Sequence, residues 1–519
     1  MCNKLSSIVG TFSKRSEIVA DIIIDMLRAT TISDPDRVGI CVDNKISSAN
    51  NLEELDVSRV ESHIGLGYAI IHTLTDYEYG HPIASNKKYS IVFDGVINNT
   101  AQLVEKFGLQ DKYTKFSISE IMLQIFELYL KKFDLLETVG EVMKIVDGNY
   151  SFVIVSNDKL VLARDPIGTK PIFIGKKDGL IAFASERKAL WILGITKNIR
   201  SLKSGHFVII SKDGISDYEG NILEKNIPIE LTFEEASKGI STLLLKSVEN
   251  LTKYKKIGAL FSGGLDSYLI THIAKNFGID IELFCCGFKG SRDIINAAES
   301  ARKISLPLQI YELTLDEIET HLPKILYIIE DRNPLNLSIA IPIFFSARLA
   351  KEQSFRILLS GQGSDEIFGG YAKYENIVKN QGYSKLNQQL YQDIIDIAEK
   401  NLQRDTFASL ANGVEITSPF LNQKLINYAI KIPPEYKIRR ENSGYIRKFI
   451  LRSIAKNLGV PKDIADRIKI AIQYGSDSWK ALQKLAKKNG FTTQIAHKQG
   501  YEDHVQLYID SLSSLAGIH

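Results

Sequence analysis

The chain has 519 residues, enough for about two or three domains with full cores. Its 44% hydrophobic and 24% charged residues are ordinary globular values, and a net charge of +3 without a basic, aromatic-laced stripe predicts no nucleic-acid partner. No apolar run predicts a membrane span and no leader pattern opens the chain. The four cysteines (Cys2, Cys41, Cys285, Cys286) are spaced for neither a zinc site nor a disulfide framework, so a cytoplasmic location is expected.

From Met1 to about Ser211, short apolar runs alternate with Gly, Asn and Asp. Tyr89–Phe93, Tyr150–Val155, Lys159–Ala163 and Pro171–Gly175 read as strands, and the segments Glu17–Thr30 and Ser119–Phe133 as helices. The mixture predicts an α+β sandwich over residues 1–212. The polar stretch 213–231 reads as a linker, leaving 232–519 as the second domain.

In the second domain, strand and helix patterns alternate: Lys256–Phe261, Tyr268–Phe277, Ile281–Gly287, Asp293–Ile304, then Phe355–Leu359. That alternation predicts an α/β doubly wound parallel sheet with ligands at the carboxyl ends of its strands, followed by a mostly helical part from Tyr371. The first strand runs into Ser262-Gly263-Gly264-Leu265-Asp266-Ser267 and then a helix. Backbone N–H groups at such a turn and at a helix N-terminus form an anion cradle. Gly263 and Gly264 would let the backbone approach a phosphate, Ser262 and Ser267 add hydroxyl donors, and Asp266 can hold magnesium. No Lys follows the glycines, which excludes the phosphate loop of kinases and GTPases. A second Gly- and Ser-rich loop, Ser360-Gly361-Gln362-Gly363-Ser364-Asp365-Glu366, follows the strand Phe355–Leu359, and its Asp365 could complete the magnesium site.

The pattern SGGxDS resembles the pyrophosphate loop of the N-type ATP pyrophosphatases. With the second loop, Asn412–Leu421 and Ile432–Lys437, it is similar to the synthetase domain of the glutamine-dependent asparagine synthetases. Arg164–Pro171 and Phe183–Leu190 are similar to that family's glutaminase half, so the resemblance spans nearly the whole chain. It implies an αββα Ntn-hydrolase-like domain followed by an ATP-pyrophosphatase domain. It also implies ATP and Mg2+ as cofactors, and aspartate with glutamine or ammonia as small-molecule substrates; it allows a homodimer. Carried over by motif, Leu260, Ser262, Gly263, Gly264, Ser267, Cys286, Ser360 and Gly361 would bind ATP, and Asp266 and Asp365 the metal. Lys469, in Arg467-Ile468-Lys469, would offset charge on the departing pyrophosphate. Cys2 would be the glutaminase nucleophile, with its own freed amine as base.

The chain departs from that pattern at both sites. Asn3-Lys4 follows Cys2. The family's Arg for the glutamine carboxylate falls at Ile70, its Asn-Gly-Glu reads Asp94-Gly95-Val96, and its Asp for the glutamine ammonium falls near Ile118. Losing both charged clamps predicts weakened glutamine binding and a preference for free ammonia. At the synthetase site Gln362 replaces a Glu that supports the intermediate, and Gln cannot act as a general base. An alternative is therefore an amide-forming ATP pyrophosphatase for another carboxylate, such as the cyclic amide of a β-lactam, with a vestigial first domain. A non-catalytic nucleotide-binding scaffold is disfavoured by the intact Ser262–Ser267 loop and Asp365.

Overall fold

A computed structural model describes residues 4–32, 35–57, 59–72, 82–113, 116–441, 444–515 and 517–518; Cys2 lies outside the described residues. The chain divides into two compact units, Met1–Leu223 and Glu224–Ile518.

The first unit holds two antiparallel sheets. One contains β1 (Lys4–Glu17), β2 (Arg37–Val42), β3 (Lys45–Ala49), β4 (Ser62–His72), β9 (Phe173–Lys177), β10 (Leu180–Ala184) and β11 (Arg200–Ser201), ordered β11-β9-β10-β1-β4-β2-β3. The other contains β5 (Ile83–Ser85), β6 (Tyr89–Ile97), β7 (Gly148–Ser156), β8 (Lys159–Arg164), β12 (His206–Ser211) and β13 (Gly214–Glu219), ordered β13-β12-β8-β7-β6-β5. Because side chains alternate across a strand, each sheet has two faces to cover. Ile8, Phe12, Leu66, Tyr68 and Ile70 of the first sheet meet Val153, Leu160, Leu162 and Val208 of the second in one buried layer. The other face of the second sheet, with Phe93, Tyr150 and Phe152, packs under helices Ile118–Leu130 and Leu135–Ile145 through Ile121, Ile125, Phe126, Val139 and Val142. Ser117 and Glu120 close a capping box that starts the first of these helices. The helix Val19–Arg28 packs on β1 and β4 with its buried Val19, Ala20, Ile23, Met26 and Leu27. The order helix–sheet–sheet–helix is the αββα sandwich expected.

One boundary moves. Gly214–Glu219, read as linker, pair with β12 over six residues as the edge strand β13. Only part of β13 is covered, so its composition is that of a solvated strand and mimics a linker.

The second unit is built on five parallel strands: β14 (Lys256–Leu260), β15 (Asp280–Gly287), β16 (Leu308–Glu312), β17 (Ile357–Leu359) and β18 (Glu415–Thr417), ordered β16-β15-β14-β17-β18. Ile257, Gly258 and Ala259 of β14, and Leu283 to Gly287 of β15, are buried without alternation, as in a sheet covered on both faces. Phe284 and Leu358 pack with Ala347 and Ala350 of the helix Pro334–Glu352 on one side. The chain leaves β14 toward β15 and later returns to β14's other flank as β17. The carboxyl ends of β14 and β17 therefore frame a topological switch point, where ligands bind in open α/β sheets. After Tyr371 the unit is mainly helical, as expected, apart from β18 and the hairpin β19 (Ile438–Glu441) to β20 (Gly444–Arg447). Among the described residues no helix is long and apolar enough to cross a membrane.

Candidate active site

Beyond Leu260 the backbone turns through Phe261–Gly264 and enters the helix Leu265–Asn276. The turn needs glycine at 263: φ is +68°, and a Cβ there would lie 2.3 Å from the Asn296 carbonyl oxygen. The Gly263 carbonyl accepts from Arg467 Nη1 at 2.8 Å and from Ser300 Oγ at 3.2 Å. At the facing strand end, Gly361 brings the second loop against the first. A Cβ on Gly361 would sit 2.7 Å from Asp266 Cβ and 3.0 Å from the Ser267 nitrogen. Gly361→Ala is therefore expected to push the loops apart, with about 1–3 kcal/mol of destabilisation. A thermal melt of the variant reads this directly, and an unchanged melting temperature would contradict the close approach.

Between the loops lies a cavity of about 710 Å³, in the usual range of small-ligand sites. Leu260, Ser262, Gly264, Asp266, Ser267, Cys286, Ser360, Gly361, Gln362, Asp365 and Lys469 all line it. Gly263 turns the chain beside this cavity, its φ and the nearby Asn296 carbonyl leaving no room for a side chain. Cys286, the penultimate residue of β15, is a buried free thiol whose burial holds its pKa well above the ordinary value, so it contributes shape rather than reactivity.

Four charged residues of the cavity are in direct contact with one another. Lys448 Nζ lies 2.7 Å from both carboxylate oxygens of Asp266 and 2.6 Å from Asp365 Oδ1, and donates to Ser364 Oγ at 3.1 Å. Ser364 Oγ in turn donates to Asp266 Oδ1 at 2.8 Å. Lys469 Nζ is 3.0 Å from Asp365 Oδ2 and 3.7 Å from Asp266 Oδ2, with about a third (35%) of its side chain exposed. Burial alone would raise Asp365, but the Lys448 and Lys469 ammoniums hold its carboxyl well below the usual carboxylate range. Burial would likewise lower Lys469, and Asp365 and Asp266 hold it above its ordinary value instead. The two acidic side chains thus converge on one cationic point although 99 positions separate them in the sequence.

Lys448 carries no sequence signal of a site residue. It sits between β20 and the helix Phe449–Asn457 in a left-handed conformation (φ 55°), rare for a non-glycine residue. No spacing marks it, although a side chain held in such a conformation beside buried carboxylates is a recognisable structural signal. Further along the cavity, Glu366 accepts from Tyr371 Oη and Asn401 Nδ2, each at 2.7 Å. Burial, then the Asp365 charge, pushes its carboxyl up to about 7. Gln362 Nε2 donates to Asp405 Oδ2, and Arg404 Nε donates to Asp405 Oδ1 at 2.6 Å.

In the first unit, the positions of the missing clamps are filled by other chemistry. Ile70 is buried between the two sheets, and Ile118 packs on the helix-covered core. Asp94, also buried, has its Oδ1 3.4 Å from Lys170 Nζ.

A parallel sheet with two Gly- and Ser-rich loops meeting over a cavity at its switch point defines a nucleotide-binding α/β enzyme domain. A family model described as asparagine synthase matches residues 239–383 and 377–507, and one described as a glutamine amidotransferase domain matches residues 71–191. A Methanocaldococcus jannaschii protein, provisionally named asparagine synthetase (glutamine-hydrolyzing) 1, is 31% identical over 536 aligned residues, covering 94% of this chain and 96% of the relative. Asparagine synthetase (glutamine-hydrolyzing) 3 of Arabidopsis thaliana is 27% identical, over 83% of this chain and 76% of its own length. The corresponding protein 2 of Oryza sativa subsp. japonica is 28% identical, over 79% and 71%. The chain belongs to the asparagine synthase family. With its amidotransferase domain it falls in the class of ATP-dependent, amide-forming carbon–nitrogen ligases.

Proposed function

We propose that this chain adenylates the side-chain carboxylate of aspartate with ATP and joins the product to ammonia, releasing asparagine, AMP and pyrophosphate. The observation that carries this reading is the meeting of Asp266, Asp365, Lys448 and Lys469 at the Ser262–Ser267 turn. Backbone amides of that turn and of the following helix N-terminus would hold the phosphates. Leu260, Cys286, Ser360 and Gly361 would enclose the nucleoside.

The carboxylate oxygens of Asp266 and Asp365, gathered around the Lys448 ammonium, are donors that suit a hard divalent cation. Among the described residues no group of three or more His, Cys, Asp or Glu could hold a metal. A magnesium ion would therefore use these two carboxylates and complete its shell with phosphate oxygens and water. Bound there, it would supply charge neutralisation on the phosphates. Lys448 and Lys469 would take up the negative charge that develops as pyrophosphate leaves, the effect that dominates nucleotidyl chemistry. Glu366, Lys373 and Lys400 also line the cavity, which therefore offers both signs of charge, as a zwitterionic amino acid requires.

Free ammonia is the better nitrogen donor on this reading. Ile70 and Ile118 supply no charge for the ends of glutamine, and desolvating those ends unpaired costs several kcal/mol by the usual order of magnitude. The test is pyrophosphate release from ATP and magnesium with aspartate, with asparagine quantified, comparing ammonium with glutamine. The expected result is asparagine from ammonium at a rate at least about tenfold above that from glutamine at equal concentration. Equal rates would show that the altered pocket still grips glutamine. No asparagine from either source would overturn aspartate as the acceptor.

A further inference from the structure

Three carboxylates that line the cavity, Asp293, Asp393 and Asp405, lie outside the two loops, and Asp405 is the one bonded to Gln362. Asp405 belongs to the helix Gln403–Leu410, is buried, and lines the cavity beside Gln362, although 43 positions separate the two. Its Oδ2 accepts from Gln362 Nε2 and its Oδ1 from Arg404 Nε at 2.6 Å. Arg404 is held in turn by Asn336 Oδ1 at 3.0 Å, so the carboxylate is fixed from two sides. Gln362 carries no basic oxygen at neutral pH, and its amide N–H points at a group that does.

We propose that Asp405 is the general base of amide formation, accepting the ammonia proton that Gln362 cannot. This rests on the adenylation reading above. In the step, the ammonia nitrogen attacks the carbonyl carbon of the acyl adenylate and a C–N bond forms. One N–H proton passes to the Asp405 carboxylate. The C–O bond to the phosphate breaks, and AMP departs with that electron pair. Asp405 then returns the proton to solvent. Burial pushes the Asp405 carboxyl up, while the Arg404 charge and hydrogen bond oppose that shift. Gln362 orients Asp405 through its N–H.

The experiment separates the two half-reactions in the full-length chain. Aspartate-dependent exchange of labelled pyrophosphate into ATP reads adenylation, and asparagine formation with ammonium reads the second step. For Asp405→Asn, exchange is expected to stay within about threefold of wild type while asparagine formation falls by about 100-fold or more, the usual worth of a general base. The double variant Gln362→Glu/Asp405→Asn, with a carboxylate restored at the neighbouring position, is expected to recover at least about tenfold. Asparagine formation by Asp405→Asn within about tenfold of wild type would overturn the role, as would parallel loss of both activities, which marks mere structural support. Wild-type protein without aspartate-dependent exchange would sink the adenylation reading, and this inference with it. Normal wild-type exchange with an unaffected Asp405→Asn variant removes Asp405 alone.

Discussion

Replacing Asp266 with Asn is expected to abolish pyrophosphate release. Both Asp266 oxygens lie 2.7 Å from Lys448 Nζ, and Oδ1 also accepts from Ser364 Oγ at 2.8 Å. An Asn side chain has the same shape but turns one acceptor into an N–H donor and removes the charge. Lys448, only 3% exposed along its side chain, would then face Asp365 and Lys469 with one anion too few. Removing one partner of a buried charge pair typically destabilises by about 3–5 kcal/mol, because the other charge stays buried. Here part of that is relieved by the exposed Lys469, so the larger effect falls on function. Charge stabilisation lost at such a point lowers rates by about 100- to 1000-fold, and loss of a metal ligand adds to it. Pyrophosphate release within about tenfold of wild type would remove Asp266 from the reaction. The folded state of the variant is checked by its melting transition, so inactivity from unfolding is recognised separately.

The largest expected effect on stability lies in the first unit. Arg164, 2% exposed at the end of β8, donates through Nε to the Lys170 carbonyl at 2.8 Å. Nη1 donates to the Leu202 carbonyl at 2.8 Å and to Ser201 Oγ at 3.1 Å, and Nη2 to the Gly168 carbonyl. One planar guanidinium thus closes the loop after β8 onto the segment at β11, a fork that Lys cannot reproduce. Next to it, Asp165 accepts from the Ile167, Gly168 and Thr169 backbone N–H groups at 2.8 to 2.9 Å. Arg164→Ala would leave four acceptors without their donor. Each orphaned buried acceptor costs about 1–3 kcal/mol, so about 4 kcal/mol is expected after water reaches some of them. Denaturant unfolding followed by limited proteolysis would place this loss in Met1–Leu223, while the synthetase half-reaction survives. A loss below about 1 kcal/mol would mean that the fork is redundant.

Asp266 and Arg164 both belong to motifs that are legible in the amino-acid sequence. The Ser262–Ser267 turn is legible because a tight phosphate-binding turn needs adjacent residues of particular types, and adjacency is what a sequence displays. The alternation of strand and helix from Lys256 to Ile304 is legible for the same reason, since periodicity is local. The helix Leu265–Asn276 starts three residues earlier than its apolar pattern suggests, because polar residues, Asp266 and Ser267, occupy its first turn. The strand β16 escapes sequence reading, since only its parallel pairing with β15 shows that the half-exposed Leu308–Glu312 is a strand. Edge strands such as β13 and β16 have a solvated face, so their composition carries little of the buried signal.

What the sequence determined by itself is the architecture of both halves, the two loops and the residues in direct line with them, because each depends on neighbours in the chain. What only the tertiary structure decided is which distant side chains enter the cavity. Lys448 joins Asp266 across 182 positions, and Asp405 joins Gln362 across 43, through packing that no local period encodes. The demand for glycine at 263 is likewise tertiary in part, since its missing Cβ would meet the Asn296 carbonyl of another helix. Burial is the physical reason in each case. It sets which charges must meet, and it exists only once the chain has folded around them.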